Sequence, residues 1–425
     1  MAQLIIFIFI TGYLLIALEH KIKMNKAAIA LLTGVLCWTV YMVSSGDAEI
    51  VNEQLEHHLG ELSGILFFLL GAMTIVELID AHDGFDIITN RISATNKVAL
   101  LWIIAFLAFF LSATLDNLTT TIVLVSLLRK LVRQEKNRLI YCGVVVIAAN
   151  AGGAWSPIGD VTTTMLWIGG QITTINIVKG LIVPSLVCVL VPLFILSFTL
   201  KGSIERPLQE GPRRVSDLSP RQQSTVFFSG IAMLLFVPVF KSVTHLPPYM
   251  GMLIGLGVLW VITEIIHGKK DDEDKHFLSV VYALRKIDTP SILFFFGILV
   301  SIAALQSIGM LEQMALWLTS ELKNDQLIVL SLGLLSAIVD NVPLVAAAQG
   351  MYSLEMYPTD HHFWEFLAYC TGTGGSALII GSAAGVAAMG LENIKFGWYL
   401  RKMTWLALCG YFAGAITYLA QHSLL

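Results

Sequence analysis

A chain of 425 residues that is 56% hydrophobic and only 13% charged, with a mean hydropathy of +0.77, is not a soluble globular protein, since such domains carry about a quarter charged residues. The composition describes an all-α polytopic membrane protein and leaves no room for a soluble catalytic domain or a nucleic-acid surface. The net charge of −4 says little by itself, because in a membrane protein the placement of charge carries the information.

The first apolar run, 3–18, has no basic residue before Lys21, so it reads as a retained span and not as a cleaved signal. Runs at 27–43 and 62–79 follow. Residues 98–128 form a longer run interrupted at its centre by Asp116-Asn117, and 139–168 is broken by Gly152-Gly153, Pro157 and Gly159. After 176–200, the stretch Lys201–Arg221 contains Pro207, Pro212 and Pro220 and reads as a linker, so that 1–200 and 225–425 form two halves joined by 201–224. The second half holds runs at 225–240, 249–266 and 289–306, with the mixed-charge loop Lys269–Lys275 between them. It continues with 326–351, interrupted by Asp340-Asn341 and Pro343, then a broken 363–390 and a last run at 403–422. Residues 81–96 and 309–321 read as amphipathic helices along the two interfaces. The five cysteines all fall in apolar runs without ligand spacing and read as packing residues.

Charge placement assigns topology. If 98–128 and 326–351 are re-entrant helical hairpins and both termini face outward, 23 of the 26 basic residues fall inside, leaving Lys179, Lys241 and Lys323 outside. If either run crossed, every later loop would change side and the bias would collapse. The expected fold is therefore an inverted repeat of five transmembrane helices plus one re-entrant hairpin each. Discontinuous helices at 139–168 and 363–390 lie at the midplane. The halves also match in detail: Phe67–Gly71 with Leu293–Gly297, Asp116 with Asp340, and Gly152-Gly153…Gly159 with Gly374-Gly375…Gly381.

A carboxylate at mid-membrane is costly unless paired or hydrated, which marks Asp116, Asp160 and Asp340 as functional candidates. Unwound backbone survives in a bilayer only where it lines a cavity or is buried in protein. Its free carbonyls, with the Asp160 carboxylate and nearby hydroxyls, are hard donors suited to a small alkali cation. A hairpin tip meeting the first break would gather Asp116, Asn117, Thr119, Asn150 and Asp160. The second break has no acid: Ser382 stands where Asp160 stands, with Thr371, Thr373 and Ser376 as further hydroxyls. Plainer roles compete. A mid-span acid can serve only to bond unwound backbone, and threonines in membrane helices often bond their own carbonyls. Glu264 and His267 near a span end read as interfacial. His57, His58, His361 and His362 read as solvated loop residues, and His82 as an inner-side residue able to sense pH.

The segments Leu115–Thr121, Asn150–Thr163 and Val339–Val345 closely resemble the NhaD family of bacterial sodium/proton antiporters, within a wider superfamily of arsenite pumps and dicarboxylate/sodium carriers. The resemblance runs from about residue 60 to the end. It implies an elevator-type homodimer in the bacterial inner membrane, exchanging Na+ or Li+ for H+ without a cofactor. Its functional positions fall on Asp116, Asn117, Asn150, Asp160, Thr162, Thr163, Asp340 and Asn341. The dicarboxylate carriers have Ser-Asn-Thr tips where this chain has Leu-Asp-Asn and Val-Asp-Asn, and an acid there repels an anionic substrate.

The expected mechanism is competition of Na+ and protons for Asp116 and Asp160, with Asn117 and Asn150 among the Na+ ligands, and activity favoured on the alkaline side, where the acids shed their protons. Three rivals are weaker. Efflux of a neutral oxyacid such as arsenite has little need of two acids at one break. An intramembrane aspartyl protease using Asp116 and Asp160 has no need of a duplicated third acid. A passive channel fits hairpins meeting mid-membrane less well than a gated carrier does.

Overall fold

The computed structural model describes residues 2–17, 22, 24–89, 92, 94–205, 218–268 and 278–423, and every described regular element is a helix. In chain order they are α1 (Ala2–Ala17), α2 (Lys26–Ser45), α3 (Ala48–Ala81), α4 (Asp86–Thr89), α5 (Lys97–Leu115), α6 (Asn117–Leu131), α7 (Glu135–Ala154), α8 (Val161–Ile168), α9 (Thr174–Thr199) and α10 (Pro220–Thr244). They continue with α11 (Pro248–His267), α12 (Val280–Lys286), α13 (Thr289–Ser307), α14 (Met310–Leu322), α15 (Asp325–Leu335), α16 (Asn341–Met351), α17 (His362–Gly374), α18 (Ala383–Glu392), α19 (Phe396–Lys402) and α20 (Thr404–Ser423). Among the described residues seven helices are long and apolar enough to cross a membrane, or eight if the 51° bent pair α19–α20 is one span.

The helices sort into two packed groups. In one, α1 and α13 lie against α2, while α3, α10 and α11 pack together. Small residues permit the closest approach: a Cβ on Gly297 would lie 2.5 Å from the backbone of Ala30 and Leu31, as expected where packing, not water exclusion, joins helices. In the other group α5 and α6 pack on α7, α6 on α18, α9 on α20, and α15 on α17. Between the groups, α16 touches α13 and α8, and α3 touches α8.

Both Asp-Asn pairs sit at breaks between consecutive helices. Asp116 closes α5 and caps α6, Asp340 caps α16, and each accepts a backbone N–H of the helix it starts. The outer ends of α5 and α6 meet one extended stretch: Lys97 N donates to Gly202 O at 3.1 Å, Ile204 N to Thr95 O at 2.7 Å and Arg133 N to Glu205 O at 2.9 Å. At the second Asp-Asn pair, the Tyr352 and Tyr357 phenols beyond the end of α16 lie close enough to interact with Asp325 at the start of α15. α5 alone is 19 residues, about 28 Å at helical rise, so its length does not distinguish a crossing from a hairpin arm.

The long runs 139–168 and 363–390 are broken as expected, between α7 and α8 and between α17 and α18. The packing around the two breaks recurs. A Cβ on Gly152 would sit 2.2 Å from Phe109 O, and one on Gly374 2.0 Å from Gly333 O. Gly159 faces Ser112 O as Gly381 faces Ala337 O, both at 2.6 Å. Ser112 Oγ donates to Ala149 O at 2.6 Å, and Ser336 Oγ to Thr371 O at 3.0 Å.

Several expectations change. α10 begins at Pro220 behind a Ser219–Gln222 capping box, inside the stretch read as linker; 206–217 and 269–277 lie outside the described residues. Residues 309–321 do form a helix, α14, whereas within 81–96 the described helix beyond α3 is only the four-residue α4. His267 and His82, read as an interfacial and an inner-side residue, do not lie on an exposed face of the protein. Both are buried, with their Nε2 atoms 2.8 Å apart. His361 is not simply solvated either: its Nδ1 accepts from Phe363 N at 3.2 Å and caps α17. Burial and the neighbouring His362 hold its pKa below the usual value.

Candidate functional site

The two breaks and the two tips converge on one buried hydrogen-bond network. Asp160, 2% exposed, caps α8: its Oδ1 accepts from Thr162 N at 3.1 Å. Its Oδ2 accepts from Asn117 Nδ2 at 2.9 Å, and both its oxygens lie 3.3–3.4 Å from Asn341 Nδ2. One carboxylate thus receives an amide from each tip. Asn117 Nδ2 also donates to Asn150 Oδ1 at 3.0 Å. Asn150 Nδ2 in turn donates to Ser376 Oγ and Ser382 Oγ, each at 2.9 Å. Ser382 caps α18 by accepting from Gly385 N at 3.2 Å, so it occupies in the second break the capping position that Asp160 holds in the first.

Asp116 approaches from the other wall. It shares with Asp160 a cavity of ≈ 20 Å³, whose lining includes Thr114, Thr164, Phe68, Met73, Leu234 and Met252. That is room for about one water-sized occupant. Its backbone sits at φ 78°, ψ 162°, a region almost reserved for glycine. The conformation costs about 1–3 kcal/mol, and such strain clusters at working sites. The surrounding bonds fix the side chain, Oδ1 accepting from Thr119 N at 2.7 Å and Oδ2 from Thr119 Oγ1 at 3.0 Å.

The predicted residues separate by position. Asn117, Asn150, Asp160, Asn341 and Ser376 form the network; Asp116 faces the shared cavity, and Thr119 is bound to it. Thr162 presents its N–H to Asp160, and its hydroxyl lies beside the same carboxylate. Thr163 Oγ1 donates to Asp160 O at 2.9 Å, the backbone role that competed with ligation. Asp340 stands apart: its Oδ2 is 3.9 Å from Lys26 Nζ. Sequence reasoning counted Lys26 only among inner-loop charges, and nothing in its position at the start of an apolar run marked it as an acid's partner. Thr120 and Thr121 place buried hydroxyls with no hydrogen-bond partner among the described residues, and buried hydroxyls of that kind are uncommon.

Two buried charged clusters, at opposite ends of the broken helices, lay outside that reading. Glu392, at the end of α18, takes Arg129 Nε at 2.5 Å and Arg138 Nε at 2.7 Å, and Arg129 also donates to Leu391 O. Glu365, near the start of α17, accepts from Asn176 Nδ2 at 2.6 Å and Tyr418 OH at 2.9 Å. Close by, Thr173 N and Oγ1 donate to the Asp360 carboxylate at 2.6 and 2.8 Å.

Among the described residues no group of three or more His, Cys, Asp or Glu side chains is arranged to hold a metal ion, and the donors at this site are carboxylates, amides and hydroxyls. Oxygen donors of this kind suit a hard cation. Two carboxylates facing one such cavity are stable when a cation or protons offset their charge.

The chain matches the citrate-transporter family (CitMHS) over residues 13–372. It is 50% identical over 413 residues to a protein named sodium/proton antiporter 1 of Arabidopsis thaliana, covering 97% of this chain and 71% of that protein. It is 48% identical to sodium/proton antiporter 2 of the same plant, covering 97% and 98%. With the Na(+)/H(+) antiporter NhaD of Vibrio cholerae it shares 32% identity over 97% of this chain and 90% of that protein. The chain is a multi-pass membrane transporter belonging to this family and, within it, to the NhaD-type sodium/proton antiporters.

Proposed function

We propose that this protein exchanges cytoplasmic Na+ for external H+ through Asp116 and Asp160. The observation that carries the reading is the single small cavity lined by both carboxylates, with Asn117 and Asn341 amides already on Asp160. Deprotonated, the pair and the neighbouring Thr and Asn oxygens offer a hard-cation site. Protonated, they lose their charge and release the cation. Empty and doubly charged, the site is too costly to carry through the bilayer, and that cost couples the two ions. Li+, with the same charge and a smaller radius, fits the same donors. A citrate trianion would meet two carboxylates in a cavity with room for about one water, so the antiporter names of the relatives fit the site better than the citrate name of the family.

The architecture proposed with it is an inverted repeat with two re-entrant hairpins. Support comes from what lies at each end. α5 and α6 return to the same stretch, 202–205, next to α7's first turns. α7–α8 runs from the Arg138 end to the Thr173 end, and α17–α18 runs from Asp360, bonded to Thr173, back to Glu392, bonded to Arg138. The two broken helices therefore lie head to tail, as inverted halves require. With basic residues inside, the Arg129–Arg138 end is cytoplasmic. The loop before α17 is then outside together with the C-terminal end, where the His422 ring lies 4.5 Å from that of His362, tilted against it. In a bacterium this means the inner membrane with both termini outside. Alternating access follows an elevator movement of the second helix group past the first, and a homodimer formed through the first would anchor it.

The test is sodium-driven proton release in everted vesicles carrying Asp116→Asn or Asp160→Asn. Asparagine caps helices about as well as aspartate, so the fold is retained while the exchangeable charge is lost. Each change is expected to abolish exchange. Exchange that survives both would end the proposal.

A further inference from the structure

Lys26 is the first residue of α2. Its ammonium lies 3.9 Å from Asp340 Oδ2 and 4.3 Å from the centre of the Phe294 ring. The side chains are only 25% and 17% exposed, so the pair is screened less than a surface pair. The platform under the lysine is stiff: α2 and α13 touch backbone to backbone at Gly297, and Trp38 Nε1 donates to Val300 O at 2.9 Å. On the other side, Asp340 caps α16 by accepting from Val342 N at 3.4 Å. The next residue, Asn341, reaches both oxygens of Asp160. Lysine, tip and cation site are thus linked through two consecutive residues, and the link crosses from the first helix group to the second.

We propose that Lys26 is a built-in counter-cation for Asp340. It neutralises the third acid without using a proton or a transported ion, and it holds the tip where Asn341 engages Asp160. Lys26 is accordingly a positioning residue acting through Asp340. Asp340 stays out of the exchange, leaving Asp116 and Asp160 as the trading pair; the inference rests on that reading of the site. Removing one partner of a partly buried pair leaves an uncompensated charge, whereas removing both does not.

The experiment follows Na+-dependent proton movement in proteoliposomes of the full chain across a range of Na+ concentrations. Lys26→Met keeps the stem and deletes the charge. It is expected to raise the half-saturating Na+ concentration about tenfold, equivalent to about 1.4 kcal/mol, while the maximal rate changes much less. Lys26→Arg is expected to stay close to the parent. Adding Asp340→Asn to Lys26→Met is expected to recover most of the loss, because no stranded carboxylate remains, so the two changes are non-additive. An unchanged half-saturation in Lys26→Met, or losses that simply add in the double variant, would overturn the inference. Should Lys26→Met fail to fold, the reversed pair Lys26→Asp/Asp340→Lys decides: recovery of folded protein and Na+ dependence supports it, and failure to recover either overturns it. Exchange lost in Asp116→Asn but indifferent to Lys26→Met would sink this inference alone. Exchange surviving in Asp116→Asn and Asp160→Asn would sink the site reading beneath it.

Discussion

Asn150 is the residue through which the two breaks communicate. It accepts from Asn117 on the first tip and donates to Ser376 and Ser382 in the second break, all at 2.9–3.0 Å and all buried. Asn150→Ala removes three buried hydrogen bonds at once. Asn117 keeps Asp160 and Ser382 keeps Gly385 N, while Ser376 loses its bond to Asn150, and each buried group left unsatisfied costs about 1–3 kcal/mol. The expected result is a half-saturating Na+ concentration raised by at least about tenfold, measured against Ser382→Ala, which removes one bond and leaves Asn150 its other partners. Equal effects of the two changes would show that the amide is no junction. The acids and amides of this site were legible in the sequence because a polar group inside an apolar run stands out against its neighbours. Ser376 and Ser382 were legible only by alignment with the first break. Lys26 was not legible, because a lysine at the head of an apolar run is what the positive-inside pattern already supplies, and only a fold can show what its ammonium touches. His267 was hidden for the same reason, since a histidine closing a span reads as wet until its partner, His82, is seen against it.

At the scale of elements, the glycines that break the runs do more than permit unwinding. Gly152 and Gly374 lie so near a neighbouring backbone carbonyl that a methyl group would sit at 2.2 and 2.0 Å, where a rigid backbone cannot give way. Gly257, within α11, has open space around it, so Gly257→Ala exchanges a flexible residue for the best helix former and gains up to about 1 kcal/mol. Thermal unfolding in detergent is expected to show Gly152→Ala and Gly374→Ala strongly destabilised and Gly257→Ala unchanged or raised. Tolerance of both close-contact changes would mean that the breaks are loosely packed. The sequence displayed these glycines as a pattern repeated in both halves, and the pattern did locate the breaks. It could not display the carbonyl of Phe109 or Gly333 that makes each glycine obligatory, because those contacts join residues about 40 positions apart. Helix length is silent in the same way: α5 is long enough to cross by itself, and support for the proposed hairpin comes instead from the hydrogen bonds of Thr95–Lys97 and Arg133 to one stretch.

At the scale of the molecule, the movement proposed for transport predicts which contacts must break. Lys241 on α10 donates to Trp167 O at the end of α8 at 2.6 Å and lies over the Trp167 ring at 4.5 Å, so it bridges the two helix groups. Thr173 and Asp360 also join distant parts of the chain, but both belong to the second group. In a chain with its five cysteines replaced, a bifunctional thiol reagent spanning Ile168→Cys and Lys241→Cys is expected to stop exchange, since it ties the moving group to the stationary one. A link between Thr173→Cys and Asp360→Cys is expected to leave exchange near the level of the unlinked pair. Cleaving a reducible linker restores the first and does nothing to the second. If the two groups instead stayed fixed and only the tips opened, both links would be tolerated. If the second group deformed internally, the Thr173–Asp360 link would be the damaging one. The pattern of inhibition thus separates a sliding body from a local gate, and it does so independently of which residues hold the cation.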